Sequence, residues 1–156
     1  MKPAHDILPH IKDTPRKPAP IFTDVNADCQ SIIINAPVAD VYLRCLRFKD
    51  FPEFITSITN IDKINYAGFS CTLMIDGQEV KSEVKIMMRI SDRRIAWQAV
   101  SDHFRAGVVF LDPLRGDRTK VTVKIRSITE PVMLTGALSH YLRNFKQYVE
   151  NEVAAD

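Results

Sequence analysis

Apolar and polar residues alternate with a period of two from about residue 56 to residue 128, which predicts β-strands over this part of the chain. In residues 80–90 the even positions are mostly apolar and the odd positions mostly charged, and residues 119–128 repeat that pattern. Each of these strands should therefore bury one face and expose the other. Other strands are predicted at about residues 57–66, 69–75, 94–101 and 103–111. The short turns between them indicate an antiparallel meander.

Helical patterns flank this region on both sides. An apolar strand at residues 29–34 stops at Pro37, and residues 38–48 follow with apolar side chains at helical spacing. Pro52 imposes a break, with a second short helical turn beside it. After Pro131 we predict an amphipathic helix of about 20 residues, because at 100° per residue its apolar side chains fall within an arc of about 120°. These side chains are Leu134, Leu138, Tyr141, Leu142, Phe145, Tyr148 and Val149. The fold class is therefore α+β, with about seven strands, two short helices after the first strand and one long C-terminal helix.

Composition limits the domain organisation. The chain has 156 residues, of which 46% are hydrophobic, so it is long enough for one domain with a real core. Five of the nine prolines fall in the first 20 residues, which predicts an extended or disordered arm over residues 1–22 and a folded domain over residues 23–156. This arm offers a route to a homodimer. No apolar stretch reaches the roughly 18 residues of a membrane span.

The charge distribution and the cysteines indicate which partners and which cellular compartment to expect. The net charge of +2 is already present in residues 1–20, so the remaining chain is balanced and no nucleic-acid partner is expected. The N-terminus has no apolar segment typical of a secretory signal. The three cysteines lack metal-binding spacing and are predicted to be buried, reduced thiols of a cytoplasmic protein.

Several short stretches occur in a characteristic order along the chain. They are residues 32–37 followed by Val41 and Tyr42, and then residues 51–54, 94–97, 106–110, 117–123 and 144–150. In this order they resemble the START-like superfamily, also called SRPBCC, and within it the polyketide cyclase/dehydrase and lipid-transport group. The resemblance covers about residues 25–152. It implies a helix-grip fold, in which a curved antiparallel sheet wraps around the C-terminal helix, with a cavity between them that holds lipids, sterols, polyketides or quinones.

The apolar positions predicted to point inward are the candidates for ligand binding, although pocket lining and core packing look the same in sequence. Trp97 is the most suggestive, since the single tryptophan offers a broad wall for a flat ligand and an N–H donor. The candidate ligand-binding residues are Phe54, Thr72, Val84, Ile86, Met88, Trp97, Val108, Phe110, Val123, Ile125, Leu134, Leu138, Tyr141, Leu142 and Phe145.

The sequence gives little support for catalysis. Asp102 and His103 are neighbours on a predicted strand, so they point to opposite faces and cannot act as a hydrogen-bonded pair. His140 falls on the polar side of the long helix. No metal-binding spacing or phosphate-binding loop is present. We therefore predict no catalytic residue, no metal site and no cofactor.

The predicted function is the binding or carriage of a small apolar molecule, such as a lipid, quinone or aromatic metabolite, without catalysis. Two alternatives stay open. One is a cyclase or dehydratase that acts through the shape of its cavity. The other is an interaction module acting on a respiratory or ribosomal partner, as some members of the superfamily do, through the arm and a set of arginines expected to be exposed. These are Arg89, Arg93, Arg94, Arg105 and Arg126. Transient membrane contact also stays open.

Overall fold

The structure, a computed structural model, describes residues 27–75, 77–100, 104–127 and 135–155. The predicted arm at residues 1–22, and with it the predicted route to a homodimer, lies outside the described residues. So do Leu134, Asp102 and His103.

The order of elements predicted from the sequence is confirmed. The strands are β1 (Ala27–Ile34), β2 (Ile58–Asn65), β3 (Gly68–Ile75), β4 (Gln78–Ile90), β5 (Arg94–Val100), β6 (Phe104–Leu114) and β7 (Arg118–Ser127). The helices are α1 (Val38–Cys45), a 3₁₀ helix (Phe48–Glu53) and α2 (Thr135–Ala155). The strands form one antiparallel sheet in the order β1-β7-β6-β5-β4-β3-β2. Six strands thus form a meander, and β1 pairs with the last of them.

The sheet has an inner face, which α2 covers, and an outer face. Residues directly opposite one another on paired strands share a face, and successive residues alternate between faces. The buried residues of β1, β5, β6 and β7 form one cluster with those of α2, so they define the inner face. This cluster consists of Ile34, Ala36, Val41, Tyr42, Phe54, Ile95, Leu111, Val121, Val123, Ile125, Leu138, Leu142, Phe145, Tyr148 and Val149. The predicted apolar stripe of the long helix is therefore the stripe that packs on the sheet.

A smaller apolar cluster closes the β2–β3 side of the sheet. Phe48 of the 3₁₀ helix packs on Phe69 of β3, with ring centroids 4.7 Å apart, and Ile58 and Cys71 complete the cluster. The predicted short helical turn at Pro52 is this 3₁₀ helix, and Pro52 lies within it. This cluster fixes the segment that leads from α1 into the meander.

A polar clasp, formed by Lys146 and Glu150 of α2, holds that helix to the end of β1. Lys146 Nζ donates to the carbonyl oxygen of Ile33 at 2.8 Å and contacts Glu150 Oε2 at 2.6 Å. The backbone N–H of Asn35 donates to the same carboxylate oxygen at 2.7 Å. Burial acts to raise the pKa of Glu150, but the hydrogen bonds from Lys146 and Asn35 outweigh it and hold the pKa below its ordinary value. The clasp therefore fixes where α2 lies on the sheet.

A second polar contact joins α2 to the short helices. Arg44 of α1 is almost fully buried and bonds Glu152 at 3.0 Å. Tyr148 donates its hydroxyl hydrogen to Asp50 of the 3₁₀ helix. Burial, supported by this hydrogen bond, raises the pKa of Tyr148 to about 12. These two contacts therefore hold α2 against α1 and against the 3₁₀ helix.

Candidate functional site

One row of residues on the inner face crosses five strands beneath α2. Each pair in this row lies directly opposite across neighbouring strands, from β4 at one end to β1 at the other. We call it the central row, and its members are Ile86, Trp97, Gly107, Ile125 and Asp28. It contains a broad aromatic surface and a carboxyl group on the same face of the sheet.

The indole of Trp97 lies directly over Gly107. A Cβ atom added at position 107 would meet the Trp97 ring at 2.3 Å from Cζ2 and 2.5 Å from Cε2. Carbon atoms in contact are about 3.5–4.0 Å apart, so no residue larger than glycine fits there without moving the ring. Trp97 is half-buried and packs against the main cluster. The ring therefore forms part of the surface beneath α2, while some of it stays accessible.

A chain of polar side chains leads from α2 to the other end of the central row. Ser139 of α2 donates to Gln30 Oε1 at 3.3 Å, and Gln30 Nε2 donates to Asp28 Oδ1 at 3.2 Å. The backbone N–H of Cys29 donates to the same Asp28 oxygen at 2.8 Å. The other oxygen, Asp28 Oδ2, is buried and accepts no hydrogen bond from the described residues.

A guanidinium lies on the inner face beside this row. Arg105 pairs with Ala99 and Ser127, one inner position along β6 from Gly107, and its Nε is buried. The sequence prediction that Arg105 is exposed is wrong. The other arginines of that predicted set, Arg89, Arg93, Arg94 and Arg126, are exposed.

Nine of the predicted ligand-binding residues are buried or half-buried in the two apolar clusters. On the sheet these are Val84, Ile86, Trp97, Val123 and Ile125. The others are Phe54, which follows the 3₁₀ helix, and Leu138, Leu142 and Phe145 of α2. Tyr141 is half-buried, with its ring 5.7 Å from that of His140. That any of these residues contacts a ligand stays a prediction.

Two residues of β6 predicted to point inward lie on the outer face. Phe110 pairs with Arg94 and Thr122, and both Arg94 and Lys124 carry their charge over its ring, at 5.2 and 5.4 Å from the centroid. Val108 pairs with Lys124 and shares that face. Residues 106–111 are apolar at nearly every position, so the sequence does not show whether the odd or the even positions point inward. In the structure, pairing with buried residues of β5 and β7 shows that the odd positions do.

Thr72 and Met88 also lie on the outer face. Thr72 pairs with the exposed Lys81. At Met88 a register shift between residues 86 and 88 of β4, a β-bulge, inserts one residue and reverses the parity. Met88 consequently pairs with Ala96 and is 41% exposed.

Asp28, Gln30 and Gly107 were not among the residues predicted for the site, although the sequence carries a signal for each of them. The inward position of Ile34 and Ile32 in β1 extends by alternation to Gln30 and Asp28, because strand residues two apart share a face. For Gly107, the signal is an isolated glycine within an apolar strand, which often marks close approach of another group.

The cysteines differ from one another in exposure. Cys29 is exposed on the outer face, so its predicted burial is wrong. Cys71 is buried in the smaller cluster and Cys45 packs against the main one. Burial raises the pKa of both thiols, that of Cys45 to about 12.

Two surface depressions are lined by described residues, and neither lies between α2 and the inner face. One, of about 260 Å³, is lined by Glu53, Asn144, Gln147, Tyr148, Asn151 and Glu152. The other, of about 430 Å³, is lined by Leu46, Arg47, Phe48, Lys49, Asp50 and Lys63. Within the described parts of the chain, no helix is both long and apolar enough to cross a membrane. Nor do the described His, Cys, Asp and Glu side chains form any group of three that could hold a metal ion.

A seven-stranded antiparallel sheet that grips a C-terminal helix is the START-like fold, and this chain adopts it. A START superfamily protein from Mycobacterium smegmatis is similar over 81% of this chain and 98% of its own, with a TM-score of 0.68 and 15% identity. Truncated norcoclaurine synthase from Thalictrum flavum is similar over 79% of this chain and 92% of its own, with a TM-score of 0.62 and 14% identity.

A conserved protein from Geobacillus kaustophilus is also similar in structure, over 81% of this chain and 95% of its own, with a TM-score of 0.69 and 14% identity. In sequence, an uncharacterised 17.2 kDa protein from Streptomyces lincolnensis is 27% identical over 131 residues, which is 78% of this chain and 87% of that protein. No family model matches the sequence.

Proposed function

We propose that this protein binds and carries a small apolar molecule, such as a lipid, quinone or aromatic metabolite, between α2 and the inner face of the sheet, without transforming it. The observation that carries the proposal is the indole of Trp97, spread over Gly107 on the inner face and still half-exposed. An aromatic ring in that position contributes a broad apolar contact to a flat or chain-like ligand.

The surroundings of Trp97 support the same ligand class. Ile86 and Val109 are half-buried and pack against the main cluster, so apolar area remains accessible beside it. Each buried ligand methylene contributes about 0.8 kcal/mol. A ligand of about ten carbons therefore needs no specific polar contact to reach micromolar affinity. A cytoplasmic place of action fits the three free cysteines, which are typical of a reducing compartment.

A second candidate, an enzyme of the cyclase or dehydratase type, is favoured by one specific observation. Asp28 and Arg105 bring a carboxyl group and a guanidinium to the same face of the sheet, where either could steer a polar substituent. Carriage is the better supported of the two, because the half-buried residues beside Trp97, Ile86 and Val109, are apolar.

We further propose that the protein contacts a membrane while it takes up its ligand. The outer face exposes Met88 and Ile90, 41% and 44% accessible, in the neighbourhood of the charge on Arg94. Apolar side chains next to basic ones favour an anionic bilayer surface. Flotation with vesicles containing phosphatidylserine should recover the protein, whereas Ile90→Glu should reduce the recovery.

Intrinsic fluorescence tests the main proposal, because Trp97 is the single tryptophan of the chain. Titration with decanoic acid, decanol and a short-chain quinone should change the intensity or wavelength of its emission and saturate at micromolar concentration. Native mass spectrometry of gently purified protein should also show a bound apolar passenger.

A matched pair of variants controls for nonspecific binding. Ala99 lies on the inner face, two positions along β5 from Trp97, whereas Ala96 lies on the outer face of the same strand. Ala99→Phe should fill the site and weaken binding at least tenfold, while Ala96→Phe should leave it unchanged. Equal binding by both variants, or no response to any of the ligands, would contradict the proposal.

A further inference from the structure

Asp28 lies at the β1 end of the central row and has one carboxyl oxygen without a partner among the described residues. Its position on the inner face follows from its pairing with Ile125, which is buried there. Asp28 is also hydrogen-bonded to Gln30, which is hydrogen-bonded to Ser139 of α2. A side chain on the outer face could not take part in this chain, because α2 covers the inner face. The carboxyl group therefore lies on the same side of the sheet as the indole of Trp97.

The two oxygens of Asp28 have different environments. Oδ1 accepts hydrogen bonds from the N–H of Cys29 and from Gln30 Nε2, which fix the orientation of the carboxyl group. Oδ2 is buried and accepts none from the described residues. A buried acceptor without a partner costs about 1–3 kcal/mol, more when it is charged, so such an oxygen in a native protein calls for a partner.

We propose that Asp28 Oδ2 accepts a hydrogen bond from a hydroxyl group of the bound molecule, so that the ligand is a neutral apolar alcohol or phenol. This inference rests on the proposed function, since it concerns the polar end of the same ligand. Gln30 and Ser139 are positioning residues, which hold Oδ1 and leave Oδ2 directed at the ligand.

The dimensions of the row set the size of the ligand body. Trp97 covers Gly107 on β6, and Asp28 lies two strands further on, which corresponds to about 10 Å at 4.8 Å per strand. Ile125 lies between them and provides an apolar floor. A body of about two fused rings spans this distance, with its hydroxyl at the Asp28 end.

Desolvation favours a neutral donor over a cationic one at this site. Ile86, Trp97 and Ile125 of the central row are apolar and pack in the main cluster. A ligand ammonium would lose its hydration on entering these surroundings, which costs far more free energy than burying a neutral group. A hydroxyl costs less to bury, and it still supplies the hydrogen that Asp28 accepts.

Three probes of the same shape test the inference: 2-naphthol, 2-methylnaphthalene and 2-naphthylmethylamine. The single Trp97 gives one indole N–H signal in a ¹H–¹⁵N correlation spectrum, so its shift reports binding at this site without interference from ligand fluorescence. We expect 2-naphthol to bind roughly 10–100-fold more tightly than 2-methylnaphthalene, the range for a hydrogen bond to a charged group. The amine should bind more weakly than the naphthol.

Two variants extend the test. Asp28→Asn should reduce the preference for 2-naphthol over 2-methylnaphthalene to less than about threefold, because the amide then presents a donor in place of the free acceptor. Asp112→Asn, at an exposed outer-face acid, should leave the preference unchanged. The comparison of probes on the unaltered protein stands even if Asp28→Asn fails to fold.

The outcomes separate this inference from the proposed function. Equal binding of 2-naphthol and 2-methylnaphthalene to the unaltered protein overturns the role of Asp28 and leaves apolar binding intact. If the amine binds more tightly than 2-naphthol and loses this advantage in Asp28→Asn, the proposal that the ligand donates from a neutral hydroxyl is overturned. If none of the probes moves the Trp97 signal, the proposed function fails and this inference fails with it.

Discussion

Gly107→Ala should disturb the candidate site through Trp97, whose indole supplies the three atoms nearest to the new methyl group. The new Cβ would lie 2.3 Å from Cζ2 of the indole, about 1.2 Å closer than carbon atoms in contact. Gly107 lies within a regular strand, where alanine is the better residue, so the backbone itself does not resist the change. The indole must therefore move, in an interior packed about as densely as an organic crystal.

The cost of that movement is about 1–3 kcal/mol, as for other insertions into a packed core. For a protein of this length, each kcal/mol lowers Tm by about 2–4 °C. Calorimetry should therefore show a loss of about 2–12 °C for Gly107→Ala, and the emission of Trp97 should shift, since its surroundings change.

A double-mutant cycle with Trp97→Phe separates this steric cause from a general intolerance of alanine. Phenylalanine has a single ring, so it has no counterpart of Cζ2, the indole atom that the new methyl group would meet at the shortest distance. In the Trp97→Phe background, Gly107→Ala should be neutral or stabilising by up to about 1 kcal/mol. If Gly107→Ala is as stable as the unaltered protein with unchanged emission, or if its cost persists without the indole, the reasoning is refuted.

The remaining predictions concern the clasp on α2 and the thiols. Because hydrogen bonds hold the pKa of Glu150 below its ordinary value of 4.5, its contribution is present above that pH and is lost as the pH falls through the lowered pKa. Glu150→Gln should cost about 1 kcal/mol at pH 7 by urea denaturation and progressively less as the pH falls below 4.5; a cost that does not change with pH would argue against this role of Glu150. For Tyr148 the pKa is raised from 10.0 to about 12, so its contribution to stability should be lost as the pH rises from 10 through 12, and the fall in stability over this range should be smaller in Tyr148→Phe. Iodoacetamide at pH 8 should alkylate Cys29 in the native protein and spare Cys45 and Cys71, as peptide mass spectrometry can check; equally rapid labelling of Cys45 and Cys71 would contradict the raised pKa of these two thiols.

Most of the fold could be predicted because its signals are local and repeated. The alternation in β4 and β7 and the stripe from Leu138 to Val149 each report a buried face without reference to the rest of the chain. These signals specify the type of each element, and the short turns leave little choice of topology for consecutive strands.

The candidate site was harder to predict because its geometry depends on which face of each strand points inward. In β6 the run from Ala106 to Leu111 is apolar on both faces, so only pairing with neighbouring strands assigns Val108 to the outside and Val109 to the inside. In β4 a β-bulge before Met88 moves the even positions from the inner face to the outer face, and no residue type in the sequence indicates that bulge.

The pairing of the first strand with the last has a consequence for the biosynthesis of the protein. Ser31 of β1 and Thr122 of β7 share a hydrogen bond although they are 91 residues apart in the sequence. Such long-range pairing slows folding, because the ends of a long loop must meet before any contact is gained. At translation rates of about 5–20 residues per second, β1 leaves the ribosome several seconds before β7 exists. During that interval the alternating apolar side chains of β1 lack their partner strand, so they stay exposed on the nascent chain until β7 has been made.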